Sequence, residues 1–453
     1  MRIDISMMEQ YRLQKIWHLS WPVIVEMLFL LMGGFLLTLM VGRFGAAAQA
    51  AVGLTVTMQV AISLVMSAAG TGAGVLVAQA VGAQKWDLVR SLAGQALLLG
   101  MIGGLILLLF GTPLALGIVY ISGLKGEVAA LTQEFLQISF TFIPCVVVMQ
   151  VSIGVIRALG KTKLSLFVSA TNNVVLVLVA SYLLFNTSIG VIGAILGASA
   201  GQFTAFVFGI FLLTRSYTVG LGWKDVFPMR VGQVREILHI SLPAAVEQSA
   251  LQGGRIFYTL MLASLGATQL AAHNIALQVE SLSFLPGTAF SIAALTLVGQ
   301  NIGRGVPFQA KRYAELCNYV AVAGMSFVGV MFLLFAPYLA SLFTNDPEVH
   351  RWATICIRWA AAEQPTLAMS LVLSGVLRGI KDTRWPMLLT FLGVWGVRIP
   401  LMGVLLVMGE LTVERTWMAT AADFGIRSLL LLWRFKKIHW EGFHQKVVAL
   451  KNN

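Results

Sequence analysis

Leu19–Glu26 reads LSWPVIVE, and Ile240–Glu247, displaced by 221 residues, reads ISLPAAVE. The pair aligns Ser20 with Ser241, Pro22 with Pro243 and Glu26 with Glu247. Further stations share that displacement without a gap. RFGAAAQAA (43–51) meets SLGATQLAA (264–272), VAQAVGAQ (77–84) meets VGQNIGRG (298–305), and GVIRALGKTK (154–163) meets GVLRGIKDTR (375–384). Pro144 likewise pairs with Pro365. Small-residue similarity is common among apolar helices, but a series of matches at one ungapped offset marks an internal duplication.

The solvent for that duplicated unit is lipid. Of the 453 residues, 58% are hydrophobic and 11% charged, with a mean hydropathy of +0.84, whereas soluble domains carry about 25% charged residues. Apolar stretches fall near 17–41, 47–80, 91–121, 133–156, 164–185, 189–214, 237–263, 270–300, 314–343, 352–377, 385–409 and 412–433. Each is long enough for a spanning helix, and such unbroken runs exclude a β-barrel. The first stretch exceeds a signal-peptide core and lacks a small-residue cleavage site, so it reads as a retained helix. Cys145, Cys317 and Cys356 show no metal or redox spacing.

Twelve crossings put both termini on one side. That side then carries 23 of the 31 basic residues, among them Arg12, Lys15, Arg157, Arg230, Arg304, Arg378 and the tail after Arg434. The other side holds Arg43, Lys125, Arg351 and Arg415. By the positive-inside rule, both termini and the long 215–236 connection are expected in the cytoplasm, with the chain in the cell inner membrane. The net charge of +12 therefore reports topology and contact with anionic membrane lipid, not nucleic acid.

The expected fold is an all-α polytopic membrane protein of twelve transmembrane helices in two tandem six-helix bundles. Its divisions are an amino-terminal lobe over 1–214, a linker over 215–236, a carboxy-terminal lobe over 237–435 and a basic tail over 436–453. An even number of crossings per half gives both halves the same orientation, and such halves typically rock about a central site. The function expected is secondary transport rather than enzymatic catalysis. No P-loop is present, which argues against ATP as the energy source, and no cofactor or metal is expected.

The chain resembles the multidrug and toxic compound extrusion (MATE) family over essentially its whole length. MVGRFGAAAQAAVGL (40–54), LGATQLAAHNIALQVESLSFLPG (265–287), LVGQNIGRG (297–305), SGVLRGIKDTRWPM (374–387) and VRIPL (397–401) carry the resemblance. It implies two six-helix bundles forming a V, and export of small-molecule drugs or organic cations against H⁺ or Na⁺. The alternative within the wider superfamily is a flippase for lipid-linked glycans or lipids, which would need a strongly cationic cavity. Relatives with an amino-lobe ion site resemble one another in an aspartate shortly before VGR. Here Leu37 holds that place, and the fifth helix offers Asn172 and Asn173 but no carboxylate.

Ionised carboxylates inside a bilayer cost at least about 2.5–3.5 kcal/mol, so intramembrane acids are functional candidates. Glu26, Glu247, Glu280 and Glu363 all fall near mid-depth of expected spans. They form the expected ion-coupling set, and Glu247 and Glu363 also match acid positions of MATE relatives that use the carboxy-terminal lobe. A carboxyl taken out of water holds its proton more tightly, so proton and organic cation can compete for one negative charge. Charge partners expected from sequence proximity are Arg255 for Glu247 and Arg358 for Glu363. Asp423 and Arg427 stand one turn apart and are expected to pair, and Asp382 is expected to pair in its loop with Lys381 or Arg384. Gln278, Tyr258, Trp359, Met27, Asn172 and Asn173 are the candidates for contact with substrate.

Overall fold

The computed structural model describes residues 5–121, 123–215 and 217–442. Arg2, Lys446 and Lys451, counted above among the basic residues of the termini, lie outside the described residues, as does the expected tail from 443 onward. The described residues are mostly helical, with no strand. α1 (Ile5–Val41) ends in a 3-10 turn and is followed by α2 (Ala46–Gly82), α3 (Trp86–Leu109), α4 (Gly111–Ile121) and α5 (Gly126–Thr141). Then come α6 (Ile143–Ala158), α7 (Thr162–Asn186), α8 (Ile192–Thr214) and the single turn α9 (Trp223–Val226). The second half comprises α10 (Val231–Ala263), α11 (Ala267–Gly303), α12 (Pro307–Ser341) and α13 (Pro347–Gly379). It finishes with α14 (Arg384–Phe391), a π-helical segment Leu392–Arg398, α15 (Ile399–Val407) and α16 (Val413–Lys436).

The displacement of 221 residues governs where helices begin and end. α2 and α11 are each 37 residues long and correspond at both ends. Each is preceded by a glycine at positive φ, 104° for Gly45 and 101° for Gly266, a turn conformation that residues with a Cβ avoid. The span Gly126–Ala158 of α5 and α6 corresponds at both ends to α13, and α8 starts at the counterpart of the first residue of α16. The halves then differ in three places. α3 and α4 are separated at Phe110, whereas α12, their counterpart, is continuous. α5 and α6 meet at a bend of 53°, whereas α13 runs unbroken through Pro365. α7 is continuous, while its counterpart contains the π-helical segment.

Two compact units form, Trp21–Ala245 and Met1–Ser20 together with Val246–Asn453. In the first, α6 packs against α2, α3 and α8, and α7 lies along α8. Leu37, Val41, Phe135 and Ile195 belong to its core. The segment before α10 is fastened to α3. The Gln95 amide donates to the carbonyls of Asp225, Val226 and Pro228 at 3.1, 3.1 and 3.2 Å, and its oxygen accepts from the Arg230 N–H at 2.7 Å. In the second unit α13 is central, packed against α11, α12 and α16. There Ile16 and Leu19 share a core with Phe290, Leu297 and Leu367.

Among the described residues, eight helical stretches are long and apolar enough to cross a membrane, or nine if α5 and α6 make one broken span. α10, α13 and α16, at 33, 33 and 24 residues, have the length but lie outside that set. They are also the helices that carry Glu247, Glu363 and Asp423.

Candidate functional site

Glu26 and Glu247 share an arginine and a hydroxyl at matched positions, and Glu26 has one hydroxyl more. Glu26, 4% exposed, receives the guanidinium of Arg157 at 3.0 Å, the Ser165 hydroxyl at 3.0 Å and the Ser169 hydroxyl. Glu247, also 4% exposed, receives Arg378 at 2.7 Å and the Thr390 hydroxyl at 3.4 Å. Arg157 and Arg378 stand in the last turns of α6 and α13, where a cation is favoured by the carbonyl ends of the helix. Glu26, Arg157 and Ser169 become Glu247, Arg378 and Thr390 on adding the repeat displacement. The duplication has therefore copied a whole buried group of acid, arginine and hydroxyl, one in each unit. Arg378 replaces the expected Arg255, which is exposed, as the ion partner of Glu247.

A second polar cluster lies in the carboxy-terminal unit alone. The carboxyls of Glu280 on α11 and Glu363 on α13 lie close enough to act on each other electrostatically, with Arg398 acting on both. They are 5% and 1% exposed, and neither oxygen of Glu363 has a hydrogen-bond partner among the described residues. Arg358, its expected partner, is exposed. Asp423, fully buried, receives Arg398 and Arg427 at 2.7 Å each, so the expected Asp423–Arg427 pair forms and gains a third member. Gly393 makes room for it: a Cβ there would come within 2.0 Å of the Asp423 Oδ1. Tyr258 covers the cluster, with Arg398 over its ring at 5.7 Å and His273 against it edge-on at 5.6 Å. Both ring nitrogens of His273 are buried without a partner.

The repeat breaks at this cluster. The counterparts of Tyr258, Glu280, Glu363, Arg398, Asp423 and Arg427 are Leu37, Gln59, Phe142, Val177, Gln202 and Phe206. No charge of the cluster has an ionisable equivalent in the amino-terminal half.

The MatE family model matches residues 22–183 and again 243–403, one copy on each half. The chain belongs to the MATE family. A probable multidrug resistance protein NorM of Thermotoga maritima is 28% identical over 93% of this chain and 92% of its own length. The NorM of Brucella suis is 32% identical over 49% of this chain. Solved MATE structures share the fold: a MATE in the bent conformation superposes with a TM-score of 0.87 at 18% identity over 97% of this chain. A eukaryotic MATE transporter gives 0.87 at 16% identity over 96%. The fold expectation stands as a polytopic all-helical MATE arrangement built from two tandem halves.

Within this MATE chain the expected residues distribute unevenly. Glu280, Glu363 and Tyr258 converge, while Glu247 belongs to the duplicated ion pair of the same unit and Glu26 to that of the other. Gln278 is exposed, on a different face of α11 from His273 and Glu280. Trp359 makes a long contact of 3.5 Å with Glu414. Met27 is half-buried, Asn173 donates to the Ser169 carbonyl at 2.9 Å, and the buried Asn172 Oδ1 has no partner. Asp382 is held by Arg434 of α16, at 2.7 and 3.0 Å. Sequence reading treated Arg157 and Arg378 only as loop cations and passed over Ser169 and Thr390. The signal was available, since both arginines sit at matched places in GVIRALGKTK and GVLRGIKDTR.

Proposed function

We propose that this MATE-family chain exports amphipathic organic cations in exchange for protons by alternating access, and that the exchanged proton resides on the Glu280–Glu363 pair. The observation that carries the reading is the confinement of this acid pair to one half of an otherwise faithful duplication. Two carboxyls close together, out of water, repel strongly when both are charged. A shared proton relieves the repulsion, and a cationic substrate can relieve it in the proton's place. Glu26 and Glu247 are assigned a structural role instead, because each already faces an arginine at salt-bridge distance. The names of the relatives, probable multidrug resistance proteins, support the substrate class.

Protons are preferred over sodium because two neighbouring carboxyls can share one proton between them without any further ligand. The glycan-flippase alternative is disfavoured. Arg398 and Arg427, the buried cations a pyrophosphate would need, are bound to Asp423. Twelve crossings follow if α10, α13 and α16 span the membrane with the nine apolar spans, which places both termini on the cytoplasmic side.

The test is efflux of a cationic dye from proteoliposomes in sodium-free buffer under an imposed proton gradient. Gradient-dependent efflux is expected. Transport that requires added Na⁺ and ignores the proton gradient would reverse the ion assignment, and failure to move organic cations under either gradient would remove the substrate class.

A further inference from the structure

At its described beginning, α1 forms with the start of α12 an open, surface cavity of about 480 Å³. Its lining joins two chemistries. Met7 and Met8 are apolar, while Tyr11, Tyr313 and the amide of Gln309 supply hydrogen-bond donors, and Arg12 brings a charge. Two further cations gather at Tyr313. The Lys15 ammonium lies over its ring at 5.8 Å, and Arg304 is close enough to act on both Lys15 and Tyr313.

The nearby acids among the described residues are engaged elsewhere. Glu9 pairs with Arg312, and Glu315 pairs with Arg312 at 3.4 Å and with Lys311 at 4.0 Å. Arg12, Lys15 and Arg304 enter no ion pair among the described residues. One such cation lining a concave, donor-rich surface, with two more gathered at its Tyr313 wall, makes a place for an anion. The length of that anion is indicated by what surrounds it. α1 leaves the cavity as an apolar stretch long enough to cross a membrane, with Tyr11 and Trp17 exposed at 63% and 57%. Such rings settle at the boundary between headgroups and acyl chains, and cations at that level attract anionic lipid.

We propose that this cavity binds the phosphodiester headgroup of an anionic glycerophospholipid between Arg12, Lys15 and Arg304, with the acyl chains running along the outer face of α1 past Trp17. The bound lipid fastens the first turns of α1 to the start of α12. Tyr313 and Gln309 orient the phosphate, and the methionines receive the glycerol backbone.

The test is native mass spectrometry of the full chain in detergent, titrated in separate arms with phosphatidylglycerol, phosphatidylcholine and inorganic phosphate. The wild type should retain phosphatidylglycerol in preference to phosphatidylcholine. The triple variant Arg12→Gln, Lys15→Gln, Arg304→Gln should lose on the order of a hundredfold in that retention, given the attraction expected of each cation near an anionic headgroup. Gln309→Glu changes one exposed side chain without disturbing the core and should weaken retention about fivefold or more by like-charge repulsion. Equal retention of phosphatidylglycerol by wild type and both variants overturns the site. Saturation by inorganic phosphate with no preference between the two lipids overturns the lipid as its occupant.

Discussion

Arg378 lies 131 residues from Glu247 in sequence and 2.7 Å from it in space, and that distance changes what the glutamate is for. A buried carboxylate with a guanidinium and a hydroxyl on it is a fastened group, and removing one partner of such a pair costs about 3–5 kcal/mol because the other is left charged and dry. Glu247→Gln should therefore lower thermal stability in detergent by that order, and Glu247→Gln with Arg378→Gln should recover most of it. Glu26→Gln should behave alike, with recovery by Arg157→Gln. A stable Glu247→Gln protein would contradict the ion-pair account. The acids themselves were legible, since four carboxylates in apolar stretches stand out on cost alone. Their partners were not, because proximity along one helix pointed to Arg255 and Arg358, whereas the contacts are made across helices. Leu37 shows the reverse case. The resemblance leads one to expect an aspartate there, and its repeat counterpart is Tyr258, a member of the charged cluster.

At the scale of elements, glycine–alanine punctuation at the start of α2 and α11 was readable, and the helix ends follow it closely. The π-helical segment Leu392–Arg398 was not readable, since its spacing matches that of continuous α7. Its physical reason is visible only in three dimensions. Gly393 lies against Asp423 and Arg427, and the segment ends at Arg398, which reaches the same aspartate. Gly393→Ala should displace Asp423 and cost about 1–3 kcal/mol as an overpacked site, with a matching fall in transport. Gly425→Ala on α16, where an added Cβ meets nothing within 4 Å, is the control and should leave thermal unfolding and efflux almost unchanged. Equal effects of the two substitutions would remove the special role of Gly393.

For the molecule as a whole, the duplication and the apolar composition carried the large features, because an offset of 221 residues and a mean hydropathy of +0.84 leave few folds to choose from. The functional difference between the halves was less legible, being a pattern of substitutions at matched positions rather than a motif. Topology has a direct check. In a background with Cys145, Cys317 and Cys356 replaced, Lys224→Cys should react with a membrane-impermeant maleimide only from the cytoplasmic face, and labelling from outside would invert the proposed orientation. The central claim is that the copied Glu–Arg groups hold the fold while the unpaired acid pair carries the exchanged proton. It is tested most directly by proton release when a cationic dye binds the purified protein in weakly buffered detergent. The wild type and the Glu247→Gln, Arg378→Gln double variant should both release protons on binding, and Glu363→Gln should bind dye without releasing any. Undiminished release from Glu363→Gln, or release abolished in a folded Glu247→Gln, Arg378→Gln protein, would contradict the account.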